Sequence, residues 1–135
     1  MAVVFTKRLP GANNGWGASL TGYSSNPLAL GVVAYGPGGG SINAYSASAI
    51  DLDVWHMVTT VYNNSTGKLS VYIDGLLDTT TSNMPTPNGV VTAPLHIGKD
   101  SGSNNYYLHG VLDDLRIYGR ALSNEEMQRL YNLSN

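Results

Sequence analysis

The sequence predicts an all-β fold, an antiparallel two-sheet sandwich closed by one short C-terminal helix. Three observations carry that prediction. Apolar residues recur at every second position through most of the 135-residue chain, they come in short runs separated by Gly, Asn, Asp and Pro, and helical periodicity is confined to the C-terminal end.

The alternating runs place strands over residues 3–8, 15–21, 28–35, 42–47, 54–62, 68–74, 76–80, 95–98 and 106–118. Between them the turns have physical causes. Gly36-Pro37-Gly38-Gly39-Gly40 sets a breaker before permissive residues, Asn63-Asn64-Ser65-Thr66-Gly67 is a hairpin loop ending in Gly, and Asp74-Gly75 is a tight turn. The strands on either side of each should pair as neighbours. Residues 82–94, with three prolines and little alternation, read as a long surface loop.

The strongest local signal is C-terminal. Ser123 followed by Glu126 is a capping box, and Leu122 with Met127 stands where a hydrophobic staple clips the entering chain, so a helix should begin at Asn124. Met127, Leu130 and Tyr131 share one face of it. A helix of two to three turns is unstable alone and must dock on the sandwich.

Composition excludes several classes of function. The length suits one domain. Charged residues are 12% and net charge is −2, with the seven Lys and Arg scattered, so no basic stripe exists for nucleic acid. No apolar run is long enough for a membrane-spanning helix, and the N-terminus has neither the basic start nor the cleavage site of a signal peptide. The absence of cysteine removes disulfides, Cys-ligated zinc and thiol chemistry.

Three stretches together resemble a known family. Trp55-His56-Met57-Val58 runs through Tyr62 and Gly67 into Val71-Tyr72-Ile73-Asp74-Gly75. Pro94-Leu95-His96-Ile97-Gly98 makes a short Ile-Gly strand. Gly110-Val111-Leu112-Asp113-Asp114-Leu115-Arg116-Ile117-Tyr118-Gly119-Arg120-Ala121-Leu122-Ser123, with Glu126 and Tyr131, is similar to a closing strand and terminal helix. These resemble the laminin-G-like, concanavalin A-like jelly-roll domains over about the last 80 residues. The resemblance implies one domain over residues 1–135 that lacks the family's first one or two strands. The sheet edge so exposed would be covered by rearranged loops, by a second chain, or by the rest of a longer product.

Catalytic groups are sparse. The only glutamates, Glu125 and Glu126, lie in the terminal helix, so no strand carries a pair of carboxylates for glycoside hydrolysis. Glucanases of this architecture carry a Glu-x-Asp-x-Glu strand that is missing here. No nucleophile elbow, zinc-binding helix or phosphate loop occurs. The expectation is a protein that is not an enzyme.

Binding groups are more plentiful. Trp16, Tyr23, Tyr106, Tyr107 and His109 stand among Asn, Ser and Gly, the equipment for stacking a sugar ring and bonding its hydroxyls; the alternative is that Trp16 packs inside and the tyrosines fill sheet faces. Trp55 is expected in the core, His56 as a hydrogen-bonded packing residue, and His96 on the opposite strand face, solvent-facing or paired locally. In an extended strand Asp113 falls on the apolar side with Val111, Leu115 and Ile117, while Asp114 aligns with Arg116. A carboxylate there either accepts hydrogen bonds for architecture or, with Asp114, helps to hold a structural Ca²⁺, which related jelly rolls often bind.

The expected function is a non-catalytic recognition or adhesion module, with a glycan or surface protein as ligand. The alternative is a structural or assembly protein: a particle or virion decoration subunit, or a strand-sharing homo-oligomer. Either places the chain at an extracellular, cell or virion surface, with no nucleic-acid partner and no membrane insertion.

Overall fold

A computed structural model describes residues 1–9, 14–21, 28–36, 40–84, 86, 91–102 and 105–134. In chain order the elements are β1 (Ala2–Lys7), β2 (Trp16–Thr21), β3 (Ala29–Tyr35), β4 (Ser41–Ala49), β5 (Val58–Asn63), β6 (Lys68–Ile73), β7 (Leu76–Thr81), β8 (His96–Ile97) and α1 (Asn124–Ser134). They build two antiparallel sheets, one ordered β4-β3-β2-β1-β8 and the other β5-β6-β7. The two-sheet sandwich and terminal helix read from the sequence are therefore the fold.

Alternation decides which side chains lie between the sheets. Val4, Ala18, Leu30, Val32, Ala34 and Ala44 from the first sheet pack with Leu69 and Val71 of β6 and with Met84. The other face of β6 offers Tyr72, which packs with Leu122 and Met127, so α1 roofs the outer side of the second sheet. Three layers result, with Met127 and Val71 fully buried.

The turns behave as their residues dictate. Asp74 and Gly75 have φ of 53° and 75°, the left-handed pair that a two-residue hairpin between β6 and β7 requires. Gly75 is doubly constrained, because a Cβ there would meet Tyr131 of α1 at 2.9 Å. Gly67, at φ 58°, ends the β5–β6 loop as expected. Gly36 donates to the Gly40 carbonyl at 2.9 Å, while residues 37–39 of that turn lie outside the described residues.

Two bulges join the sheets along one side. In β7 the extra residue is Asp78, since Val71 pairs with Thr79 and Tyr72 with Leu77. In β4 the register shifts between the Ala29 and Gly31 pairings, and Ser46 Oγ fills the gap by accepting from Leu30 N at 2.9 Å. Asp78 then receives the Ala47 and Ser48 N–H groups across the seam. In β1 the register shifts between the Val3 and Phe5 pairings, so that Val4 is buried in the core while Val3, opposite Ser19, is buried on the other face.

Two expectations are corrected. No strand forms over residues 106–118: Leu108 donates to the Gly98 carbonyl at 2.8 Å, and every residue from 109 to 120 is exposed without a ladder partner among the described residues. Asp114 takes φ 52°, which interrupts the extension, and Asp113 faces water rather than the core. A strand is stable only against a neighbour, and this one has none. Trp55, expected in the core, is 68% exposed. Residues 54–57 precede β5, a sheet edge, so no layer stands opposite the indole; the segment is held by Asp74, which bonds His56 Nδ1 at 2.8 Å and accepts Met57 N at 2.9 Å. His56 thus serves as the hydrogen-bonded packing residue expected of it. Among the described residues no helix is long and apolar enough to cross a membrane.

Candidate functional site

The outer face of the five-stranded sheet carries a groove of about 200 Å³. Its position follows from register. Opposite partners share a face, so Ser19, Gly31 and Tyr45 lie in one row across β2, β3 and β4, and Gly17, Val33 and Asn43 in the next. Two glycines and a serine leave the centre of the sheet with little side-chain bulk. Tyr35 and Tyr45 rise around that hollow from strand positions that the core does not use.

Gly31 has little room for a side chain. A Cβ added there would lie 3.1 Å from the Tyr45 ring, which folds over the bare backbone. The opposite end is set by an ion pair. Arg8 reaches both Asp100 oxygens through Nη2, at 3.1 and 3.0 Å, and bonds Oδ1 through Nε at 3.2 Å. Asp100 is buried and also accepts Ser101 N at 2.9 Å. The hydrogen bond to Asp100 holds the Arg8 guanidinium above its ordinary pKa despite partial desolvation. Arg8 Nη1 meets the Tyr35 hydroxyl at 3.5 Å.

The lining is chemically mixed. Aromatic faces come from Tyr35 and Tyr45, apolar floor from Val3 and Val33, and hydrogen-bonding groups from Ser19, Asn43 and the Tyr35 hydroxyl. Thr21 Oγ1 is buried at the groove without a hydrogen-bond partner among the described residues. The guanidinium of Arg8 in the lining is already neutralised by Asp100. Such a surface suits a neutral, polyhydroxylated ring better than an anion: ring C–H groups lie on the aromatics while hydroxyls meet the amide and hydroxyl groups.

The residues singled out from the sequence lie elsewhere. Trp16 is half-buried on the inward-facing side of β2, with its ring 5.6 Å from Phe5 in an edge-to-face contact. Tyr23 lies outside the described residues. Tyr106, Tyr107 and His109 are exposed together on the segment that follows β8. His96, opposite Thr6, is half-buried with its Nδ1 unpartnered among the described residues. Asp114 forms a double hydrogen bond with Arg116, at 2.9 and 2.6 Å, while Asp113 Oδ1 accepts Asp114 N at 2.7 Å. Among the described residues no three acidic or histidine side chains stand together as a metal cluster.

An antiparallel two-sheet sandwich closed by a short terminal helix defines the fold class, and comparison with known proteins places the chain within it. Residues 2–128 match the family model of the concanavalin A-like lectin/glucanases superfamily, so the chain belongs to that family. A solved structure that is similar is that of residues 221–444 of an S-layer domain-containing protein from Clostridium thermocellum, with 25% identity and a TM-score of 0.56. The match covers 96% of this chain and 62% of that one, so this chain spans under two thirds of its length. No curated protein matches.

Part of the groove had a signal in the sequence. In β3, Gly31, Val33 and Tyr35 alternate with the inward Leu30, Val32 and Ala34, and Asn43 and Tyr45 do the same around Ala44. A Tyr directly across from a Gly marks a ring covering exposed backbone. The Arg8–Asp100 pair, 92 residues apart, left no local trace.

Proposed function

We propose that this chain is a non-catalytic, surface-associated recognition module that holds one neutral sugar unit of a glycan in the groove between Tyr35 and Tyr45. The observation that carries the reading is the groove itself: a glycine-floored hollow with two tyrosine walls, a buried hydroxyl at Thr21 with no partner among the described residues, and the Arg8 guanidinium neutralised by Asp100. At about 200 Å³ it falls below the roughly 300–1,000 Å³ of drug-sized pockets, which favours a single ring over an extended ligand. Against catalysis stands the position of both glutamates on α1, where Glu126 is engaged by Arg120 and Glu125 by Ser123.

Titration calorimetry following a glycan array, with and without Ca²⁺, is the test. Binding of a neutral saccharide is the expected result, a Ca²⁺ requirement would revive the metal expectation at Asp113 and Asp114, and no binding in either condition removes the proposal.

A second reading, an assembly subunit of a surface layer or particle, is favoured by the likeness to an S-layer domain-containing protein. The two are compatible, because a subunit of a surface array can also hold a glycan.

A further inference from the structure

The two sheets are unequal, and the inequality is on one side. β7 stands beside β4, where Asp78 bridges to Ala47 and Ser48, and the three-stranded sheet proceeds from there through β6 to β5. The five-stranded sheet continues further, to β1 and β8. Their inward faces are therefore less covered: Ile97, paired with Phe5 across β8 and β1, is 51% exposed. The free edge of β5 borders this opening, and the described chain pairs no strand with it.

The chain also carries a segment that pairs with no strand among the described residues. In residues 110–118, Val111 is 75% and Ile117 63% exposed, and Leu112, Leu115 and Tyr118 are also in water. The left-handed Asp114 has the conformation of a bulge residue, so that this segment could pair as a bulged strand. One extra residue at 114 reverses the alternation beyond it, which puts Leu112, Leu115 and Ile117 on one face and Asp113, Arg116 and Tyr118 on the other. That arrangement removes the carboxylate of Asp113 from the apolar row.

We propose that a second copy of this chain completes the sandwich, each copy adding its residues 110–118 as a strand to the free edge of β5 in the other, with Leu112, Leu115 and Ile117 covering the opening over Ile97 and Phe5. A second copy is the occupant because donor strand and acceptor edge are both present in every chain. A two-fold exchange satisfies both at once, whereas a foreign strand would leave residues 110–118 uncovered. Within its own chain the segment is tied at both ends, by the Leu108 to Gly98 hydrogen bond and by Leu122 under α1, and pairs with no strand among the described residues. The five apolar side chains leave on the order of 500 Å² in water, near the upper limit for a monomer. Two segments and the two edges that receive them would bury on the order of 2,000 Å², the area of a stable dimer.

Light scattering on the intact chain should give twice the 14.3 kDa of one copy at micromolar concentration. Leu115→Asp combined with Ile117→Asp should lower the mass to a single copy, leave the far-ultraviolet dichroism unchanged, and speed amide exchange in β5 at least tenfold. Leu112→Asp, as a milder second variant on the same face, should shift the dimer toward monomer by at least tenfold in Kd. A monomer at all concentrations overturns the proposal, and so does a dimer that both variants leave intact.

Discussion

Asp78 of β7 accepts the backbone N–H of Ser48 in β4 at 3.0 Å, and its other oxygen takes that of Ala47 at 2.6 Å. One carboxylate thus closes the edge of the opposing sheet at the place where the β4 ladder slips register. The bulge in β7 is what aims it there. Asp78→Ala removes two charge-assisted hydrogen bonds in a solvent-accessible position and should lower stability by about 1–3 kcal/mol. Urea denaturation would measure it, and an unchanged midpoint would show that the seam does not depend on this residue.

The helix start makes a second prediction. Glu126 N donates to Ser123 Oγ at 3.3 Å and Ser123 N donates to Glu126 Oε2 at 2.8 Å, a reciprocal capping box. Ser123→Ala should cost about 1 kcal/mol. The Arg120 hydrogen bonds and the Ser123 amide lower the Glu126 carboxyl from 4.5 to about 2. Because the folded value lies below the unfolded one, this contribution is complete above about pH 4.5 and is lost as the pH falls toward 2. Helical dichroism of the native chain should therefore fall with acid across that window, and Glu126→Gln should flatten this part of the profile.

The contrast between that helix and residues 106–118 shows what the sequence discloses. A capping box, a staple and an Asp-Gly turn involve residues a few positions apart, so Ser123, Leu122, Met127 and Asp74 announce their structures locally. Alternation likewise placed β1 through β8 to within a few residues. The segment after Tyr106 has the same alternation, but a strand also needs an edge to pair with, and pattern does not reveal which edges are occupied. Trp55 failed for the same reason, since burial of an edge residue depends on the layer opposite. In the groove, Tyr35 and Tyr45 were legible as outward positions, whereas Arg8 and Asp100 meet only through tertiary folding.

The two tryptophans give a direct check of that correction. Trp55 stands mostly in water while Trp16 is half-buried against Phe5. Acrylamide quenching should resolve a readily accessible component and a protected one, and Trp55→Phe should abolish the accessible component with a stability change within about 0.5 kcal/mol. A blue-shifted, protected Trp55 would return the indole to the core and contradict the position described here.

The groove makes the prediction closest to function. Tyr45 covers Gly31 and offers its ring face to the hollow, so Tyr45→Ala removes both a stacking surface and part of the wall. A lost aromatic contact of about 1–2 kcal/mol corresponds to a roughly 5- to 30-fold weaker Kd for a saccharide. Tyr107→Ala, on the exposed segment after β8, should leave affinity within about twofold if the groove holds the sugar. Calorimetry of both variants separates the two locations. Loss of binding in Tyr107→Ala with full affinity in Tyr45→Ala would move the site to the tyrosine pair that the sequence first suggested.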